Sequence, residues 1–512
     1  MLKSSYIYPF TPAIFKKKRR GALKNMAEKE MKQEKQEGMT VKKSNDFSEW
    51  YTQAVLKGEL VDYGPVQGTV ALKPHGMGIW ENIQKIFDEK IKRTGHMNAY
   101  FPLLIPESFL KKEAEHFQGF VPEVFWVTHS GNNKLGERLA VRPTSETIIY
   151  DFYSKWIRSW RDLPLLLNQW CNVLRAEIKS TKPFIRGSEF LWQEGHTAHA
   201  TKEAADVEMM LILDEYRDLM ESYLAVPVLT GYKSESQKFA GALTTTTLEA
   251  MMPDGRALQM GTSHNLGQNF SKPFDIKFLD KDGTQKYVWT TSWGISTRLL
   301  GGIVMTHGDD KGLVLPPKVA TYQAVIVPIY YKDEEKKAAM KKAEELKNLL
   351  QKNGVRVHAD VREEYTPGWK FNEWELKGVP LRVEVGPKDI KAKQVVFARR
   401  DTGKKWTVKE KDLAKSAGET LEEIQQSLHK TARKFLDENI STVKNYVEFK
   451  KVIGQKGGFV KAGWCGEHHC EEQIKVETSA TIRVIPFIKE NSEKCIYCEK
   501  VAKETVYFAK SY

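Results

Sequence analysis

Cysteine is scarce, with five in 512 residues. That is too few for a disulfide framework in a chain of this length. Four of the five fall near the C-terminus, a pattern that fits a reducing compartment and a metal site. Long apolar runs are missing too: none approaches the roughly 20 residues needed to span a bilayer, which argues against a membrane partner. The Gly-x-x-x-x-Gly-Lys-Ser/Thr loop and the Gly-x-Gly-x-x-Gly fingerprint do not occur, so any nucleotide site has to be built another way. No internal repeat is apparent. Acidic residues are absent from the first 25 positions, which include the run Lys16-Lys17-Lys18-Arg19-Arg20.

What is present looks like an ordinary folded chain, with 41% hydrophobic and 28% charged residues and room for two to four domains. A net charge of +13 implies a polyanionic partner, with nucleic acid the leading candidate. Residues 1–45 lack apolar periodicity and are expected to form a disordered basic extension. A tail that touches RNA, an upstream segment with translation starting at Met26, and a transit peptide are the readings open for it.

A globular domain opens at Asp46 with Phe47, Trp50 and Tyr51. Apolar residues at helical spacing predict a helix over 80–91, closed by Gly95. A strand is expected from Met97 to Ile105, ending at proline. Arg142-Pro143-Thr144-Ser145-Glu146 precedes an amphipathic helix running to about Trp160. Residues 173–196 (VLRAEIKSTKPFIRGSEFLWQEGH) predict two strands joined by a basic loop. On a strand, Arg175 and Glu177 would share one face. Arginine offers carboxylate or phosphate a planar fork that lysine lacks. Another long helix is expected over 201–224, and residues 240–263 read as loops and short strands lining a cleft. Near residue 290, Trp289 to Gly302 predict a strand entering a helix, with Arg298 in its first turn.

Residues 310–320 suggest a linker. Beyond them, an apolar strand from Gln323, a helix over 333–352 and a strand from Val355 predict a parallel pair in a small α/β domain. Strands at 381–385, 395–398 and 406–408 follow, then a helix opened by a capping box at Thr420 and Glu423. Cys465-x4-Cys470 and Cys495-x2-Cys498 suit tetrahedral thiolate coordination of zinc, with His468 and His469 as surplus ligands.

Arg175-x-Glu177, a loop, then Arg186-xxx-Phe190-xxx-Glu194 resembles the second signature motif of class II aminoacyl-tRNA synthetases. Gly95 to Leu104 resembles the first, and the segment from Gly294 through Ser296 to Arg298 the third. Pro143-Thr144-Ser145-Glu146, Trp192-Gln-Glu194-Gly195-His196, Gly261-Thr262-Ser263-His264 and Ser292-Trp293-Gly294 together resemble prolyl-tRNA synthetases. The cysteine-rich end, closing on Tyr512, resembles the zinc-binding domain of their archaeal/eukaryote-like type.

The resemblance implies an α/β multidomain protein: an antiparallel-sheet catalytic domain over 46–310, an α/β anticodon-binding domain over 320–437 and a small α+β zinc-binding domain over 441–512. It implies activation of L-proline by ATP with Mg²⁺, transfer to tRNA(Pro), structural Zn²⁺, a homodimer and a cytoplasmic location. Arg175 would bridge the proline carboxylate and the α-phosphate. ATP would be held by Arg175, Glu177, Arg186, Gln259, Thr262 and Arg298. Thr144, Glu146, Trp192, His196, His264, Ser292 and Gly294, with Arg175, would hold proline. Arg362 and Lys370 are candidates for tRNA contact. The short distance from His196 to Trp289 leaves no room for the editing insertion of bacterial-type members. A threonyl, seryl or glycyl enzyme, or a noncatalytic tRNA-binding relative, is the alternative.

Overall fold

The computed structural model describes residues 38–114, 123–176, 180–490 and 492–512. The basic extension up to residue 37, together with Glu177 and Lys179, lies outside these.

A seven-stranded sheet organises the first half of the chain. Its strands are β1 (Met97–Asn98), β2 (Leu165–Leu174), β3 (Glu189–His199), β4 (Leu229–Tyr232), β5 (Thr244–Met251), β6 (Ala257–Gly267) and β7 (Trp289–Ser296). The order is β1-β2-β3-β7-β6-β5-β4, with every pairing antiparallel except the short parallel edge β1. Helices α1 (Pro74–Arg93), α3 (Lys202–Asp218) and α4 (Arg298–His307) supply one large core with Trp293 and Ile295 of the sheet. Helix α2 (Glu146–Trp156) packs with Phe270 and Phe278 in a second. Strand alternation divides β3 cleanly. Gln193 and Thr197 point toward helix α3 and β7, where they meet Tyr216 and Thr291, while Trp192, Glu194 and His196 share the opposite face.

Several local expectations need correction. The strand predicted over 97–105 is broken into Met97–Asn98 and Leu104–Pro106, which belong to different sheets. Residues 240–263 are not short strands but two long ones joined by a tight turn. Their Thr-rich faces are buried, so polarity there marks a lined cleft, not solvent exposure. The body also reaches back beyond Asp46. Lys43 donates to the carbonyls of Met305 and Gly308 at the end of α4, capping that helix.

The segment 310–320 is no free linker. Leu313, Leu315, Val319 and Ala320 are buried, and Arg356 donates to the carbonyls of Pro317, Lys318 and Ala320. Beyond it, a five-stranded sheet contains the predicted parallel pairing of Ala324–Pro328 with Val357–Ala359, the helix Asp333–Lys352 crossing between them. The last helix of this domain runs from Leu413 to Glu438. Thr420 is therefore buried mid-helix and does not cap an end. A four-stranded sheet with helices Tyr446–Gln455 and His468–Thr478 closes the chain.

Candidate active site

Two cavities share Arg175 in their lining. Each has a volume (about 460 and 650 Å³) in the range of small-molecule sites. The predicted hairpin is β2 with β3, but β2 ends at Leu174, so Arg175 stands just past it. Its amide still donates to Ser188 across the hairpin at 2.7 Å, and its Nε to the Pro143 carbonyl at 3.2 Å.

The first cavity is cationic. Arg175, Lys182, Arg186 and Arg298 reach it, with Phe190 and Tyr512 among its walls, and Glu189 is the one acidic side chain on the described lining. Glu189 is held by the Asn172 amide at 2.9 Å. Arg298 donates to the Gln259 carbonyl at 3.3 Å, while its Nε is buried without a partner. Burial, then the nearby charge of Arg175, push Arg298 down to about 10, with Arg483 and Arg186 adding and Glu249 opposing. Crowded arginines of this kind are relieved by a polyanion.

The second cavity is lined by Thr144, Glu146, Trp192, Glu194, His196, Phe239, Gln259, Thr262, His264, Ser292 and Gly294, among others. The predicted proline residues therefore meet in one place. Gln259 and Thr262, expected beside the nucleotide, line this cavity as well. They share a face although three apart, because β6 carries an extra residue opposite Leu248 and Glu249. Gly195 is required on the other side of β3, where a Cβ would fall 2.1 Å from the Trp293 ring.

Glu194 anchors the cavity floor and is an addition to the site residues expected from the sequence. It accepts from the Ser145 amide and hydroxyl, from Gln169 at 3.0 Å and from His196 Nε2 at 3.0 Å. Its signal was present: it sits two residues from both Trp192 and His196. Burial pulls His196 toward neutrality, but the Glu194 bond and the charge of Glu146 outweigh it and raise its pKa. His264, buried beside His196, is instead pushed down to about 3. It bonds Thr245 at 2.9 Å and lies against Phe239, ring centres 4.8 Å apart; no pattern in the sequence marked Phe239. The Thr144 hydroxyl donates to Glu146, leaving lone pairs on its oxygen to accept. The Ser292 hydroxyl and His196 Nδ1 are buried without partners.

The other predicted sites divide. Cys465, Cys470, Cys495 and Cys498 come together with all four sulfurs within 4.8 Å, while His468 and His469 stay exposed. Lys370 is buried and donates to the Asp360 carbonyl at 3.0 Å, so it does not present itself to a nucleic acid. Arg362 is tied to Asp360 and Glu373 and lies over the stacked Tyr365 and Trp369 rings. Lys370 acts within its domain's packing, while Arg362 keeps 34% of its side chain exposed.

Three family descriptions match the chain. They are "tRNA synthetase class II core domain (G, H, P, S and T)" over residues 125–307, "Anticodon binding domain" over 323–420 and "Prolyl-tRNA synthetase, C-terminal" over 446–512. The Proline--tRNA ligase of Natranaerobius thermophilus is 54% identical over 471 residues, 92% of this chain and 97% of the relative. That of Cenarchaeum symbiosum is 55% identical over 476 residues, 93% and 99% of the two chains. Proline--tRNA ligase 2 of Clostridioides difficile is 54% identical over 472 residues, 92% and 97%.

Proposed function

The chain belongs to the proline--tRNA ligase family, and from that premise we propose how its residues divide the work. It is a class II aminoacyl-tRNA synthetase that activates L-proline with ATP and charges tRNA(Pro). The observation that carries the residue assignments is the single arginine, Arg175, lining both a cationic cavity and a partly apolar one.

ATP occupies the first cavity. Its distal phosphates neutralise Arg186 and Arg298, and its α-phosphate meets the proline carboxylate at Arg175. Two anions must approach there, and fixed guanidinium groups offset their repulsion and the charge that develops at phosphorus. Glu177 belongs to the same assignment by position in the motif. Gln259 and Thr262 span the boundary between the two substrates. Magnesium accompanies ATP in this class, and Glu189 would hold it together with the phosphates. When bound, it spreads the charge building on the phosphate oxygens.

Proline occupies the second cavity. Glu146 supplies a countercharge to its secondary ammonium and Thr144 an acceptor. Trp192, His264 and Gly294 wall the ring, and the unpartnered Ser292 and His196 face the same space. Both reaction steps then depend on positioning more than on a strong base.

The four cysteines fit structural zinc. Tetrahedral bonds of about 2.3 Å separate sulfurs by about 3.8 Å, and Cys465 lies 3.6 Å from Cys470 and 3.8 Å from Cys498. We assign residues 46–310, 320–437 and 441–512 to catalytic, anticodon-binding and zinc-binding domains. Met97 and Tyr100, 61% and 72% exposed, offer apolar surface suited to a homodimer. No described helix is long and apolar enough to cross a membrane, and we place the enzyme in the cytoplasm. Proline-dependent ATP–pyrophosphate exchange with tRNA(Pro) charging tests the assignment. Exchange driven better by threonine, serine or glycine would overturn it.

A further inference from the structure

The C-terminal domain touches the catalytic sheet through charges buried in the interface. Arg483, on the strand Thr481–Val484, grips Glu249 of β5 with three bonds of 2.9 to 3.2 Å. Lys233 reaches the same carboxylate at 2.6 Å and also donates to the Arg483 carbonyl at 3.2 Å. All three side chains are buried, with Glu249 fully so. Next to Lys233, Ser234 donates to Glu471 at 2.7 Å, and Glu471 follows the cysteine ligand Cys470. Backbone bonds complete the seam: Tyr232 and Ile485 exchange both of theirs, and Ala257 donates to Lys510 at 2.8 Å.

Glu249 occupies a particular place in the sheet. Thr245, Thr247 and Glu249 alternate along β5, and across from them on β6 stand His264, Thr262 and Gln259. Between the last two pairs the register shifts by one residue, which leaves Met260 without a direct partner. Bulges interrupt the ladder and re-aim the strand. Here the interruption falls beside Gln259, whose carbonyl accepts from Arg298 and whose side chain lines the second cavity. The ladder between β5 and β6 is therefore interrupted where the sheet holds the nucleotide-site arginine. At that point a side chain from another domain clamps it.

We propose that Arg483 is a positioning residue for proline activation: by gripping Glu249 it fixes the bulged pair Glu249–Gln259 and so aims Arg298 at ATP. This rests on the assignment of Arg298 to the distal phosphates. Its consequence falls mainly on ATP, since Thr144, Glu146 and Trp192 sit on other elements and, of the fixed pair, only Gln259 lines the proline cavity. Removing Arg483 also leaves Lys233 and Glu249 as a balanced pair, so no lone charge is stranded in the interface.

The test compares full-length Arg483→Met and Arg483→Lys with the wild type in pyrophosphate exchange, with Arg298→Ala as reference. Positioning by a bidentate fork predicts that both Arg483 variants raise the KM for ATP at least fivefold and leave the KM for proline within twofold. An unchanged KM for ATP in both, or equal rises for the two substrates, overturns the proposal. A wild-type Lys variant beside an impaired Met variant also overturns it, because charge alone would then suffice. Should the Met variant lack a cooperative melting transition, the Lys variant decides by the same two KM values. Arg298→Ala separates the premise: if it leaves the KM for ATP unchanged, the Arg298 assignment fails. If it raises that KM while the Arg483 variants do not, only the present proposal fails.

Discussion

The Arg175 guanidinium lies 5.2 Å from the centre of the Phe190 ring and 5.6 Å from that of Trp192, so it is braced by a wall of each cavity. A point charge could supply attraction at this position, but a flexible ammonium could not hold a planar fork between two anions. Arg175→Lys should therefore fail nearly as badly as Arg175→Ala. Losing one preorganised charge-stabilising donor costs about 10²–10³ in rate, and pyrophosphate exchange should fall at least that far in both variants. Affinity for tRNA(Pro), measured by filter binding, should stay within twofold. Exchange in Arg175→Ala within tenfold of the wild type would remove the assigned role.

The second cavity sets a limit on accuracy. Alanine and cysteine are no bulkier than proline, and each missing methylene is worth only about 1–3 kcal/mol in discrimination. Walls made by Trp192, Phe239 and His264 can reject larger side chains but cannot push out smaller ones. Between β3 and β7 the chain forms only helix α3 with its last turn at Leu219–Tyr223, strands β4 to β6 and a small hairpin, with no added domain. Alanine- and cysteine-dependent exchange should be measurable, and Ala-tRNA(Pro) should persist with the enzyme as long as without it. Rapid deacylation by the purified enzyme would contradict this.

Much of this site could be read from spacing, because motif residues at i and i+2 on a strand must share a face. Trp192 and His196 obey that rule, and Glu194 could have been added by it. Gln259 and Thr262 do not obey it, since their common orientation depends on a bulge that no local sequence pattern announces. The boundary errors have a similar origin. Thr420 and Glu423 have the spacing of a cap, but Leu413, Ala417 and Leu421 bury one continuous stripe and carry the helix through them. Nothing local to Lys370 announces that it is buried beside Asp360, because that burial is a tertiary fact.

Acid should weaken the fold before any carboxylate titrates. Burial pushes His264 to about 3, and His199 and His307 to about 4. These groups stay neutral in the folded protein while the unfolded chain protonates near 6.5. The unfolded state then binds more protons, so stability falls as pH drops below about 6.5 and continues falling toward 4. The raised pKa of His196 works in the opposite direction, but its contribution is already complete below about 6.5 and does not change the slope there. Buried carboxylates such as Glu194 and Glu249 contribute only at lower pH, because their unfolded values lie near 4.5. Urea unfolding at pH 6.5, 6.0 and 5.5 should show a steady loss of stability, shallower in His307→Gln. A flat profile over that range would contradict the buried neutral state.

The cysteine cluster makes the last expectation. Its Cys465–Cys470 and Cys465–Cys498 sulfur pairs are 3.6 and 3.8 Å apart, far beyond the roughly 2.05 Å of a disulfide and close to the edge of a zinc tetrahedron. Cys470 is buried at the start of the helix whose Glu471 bonds Ser234 of the catalytic domain. Structural zinc contributes roughly 10–16 kcal/mol of apparent binding energy in small zinc-finger peptides, so loss of one ligand should loosen this helix first. Purified enzyme should carry one zinc per chain by elemental analysis, and Cys470→Ser should carry much less. In that variant, limited proteolysis should open sites after residue 441 while the catalytic sheet stays protected. A zinc-free wild type with the same proteolytic pattern would show that packing alone holds the domain together.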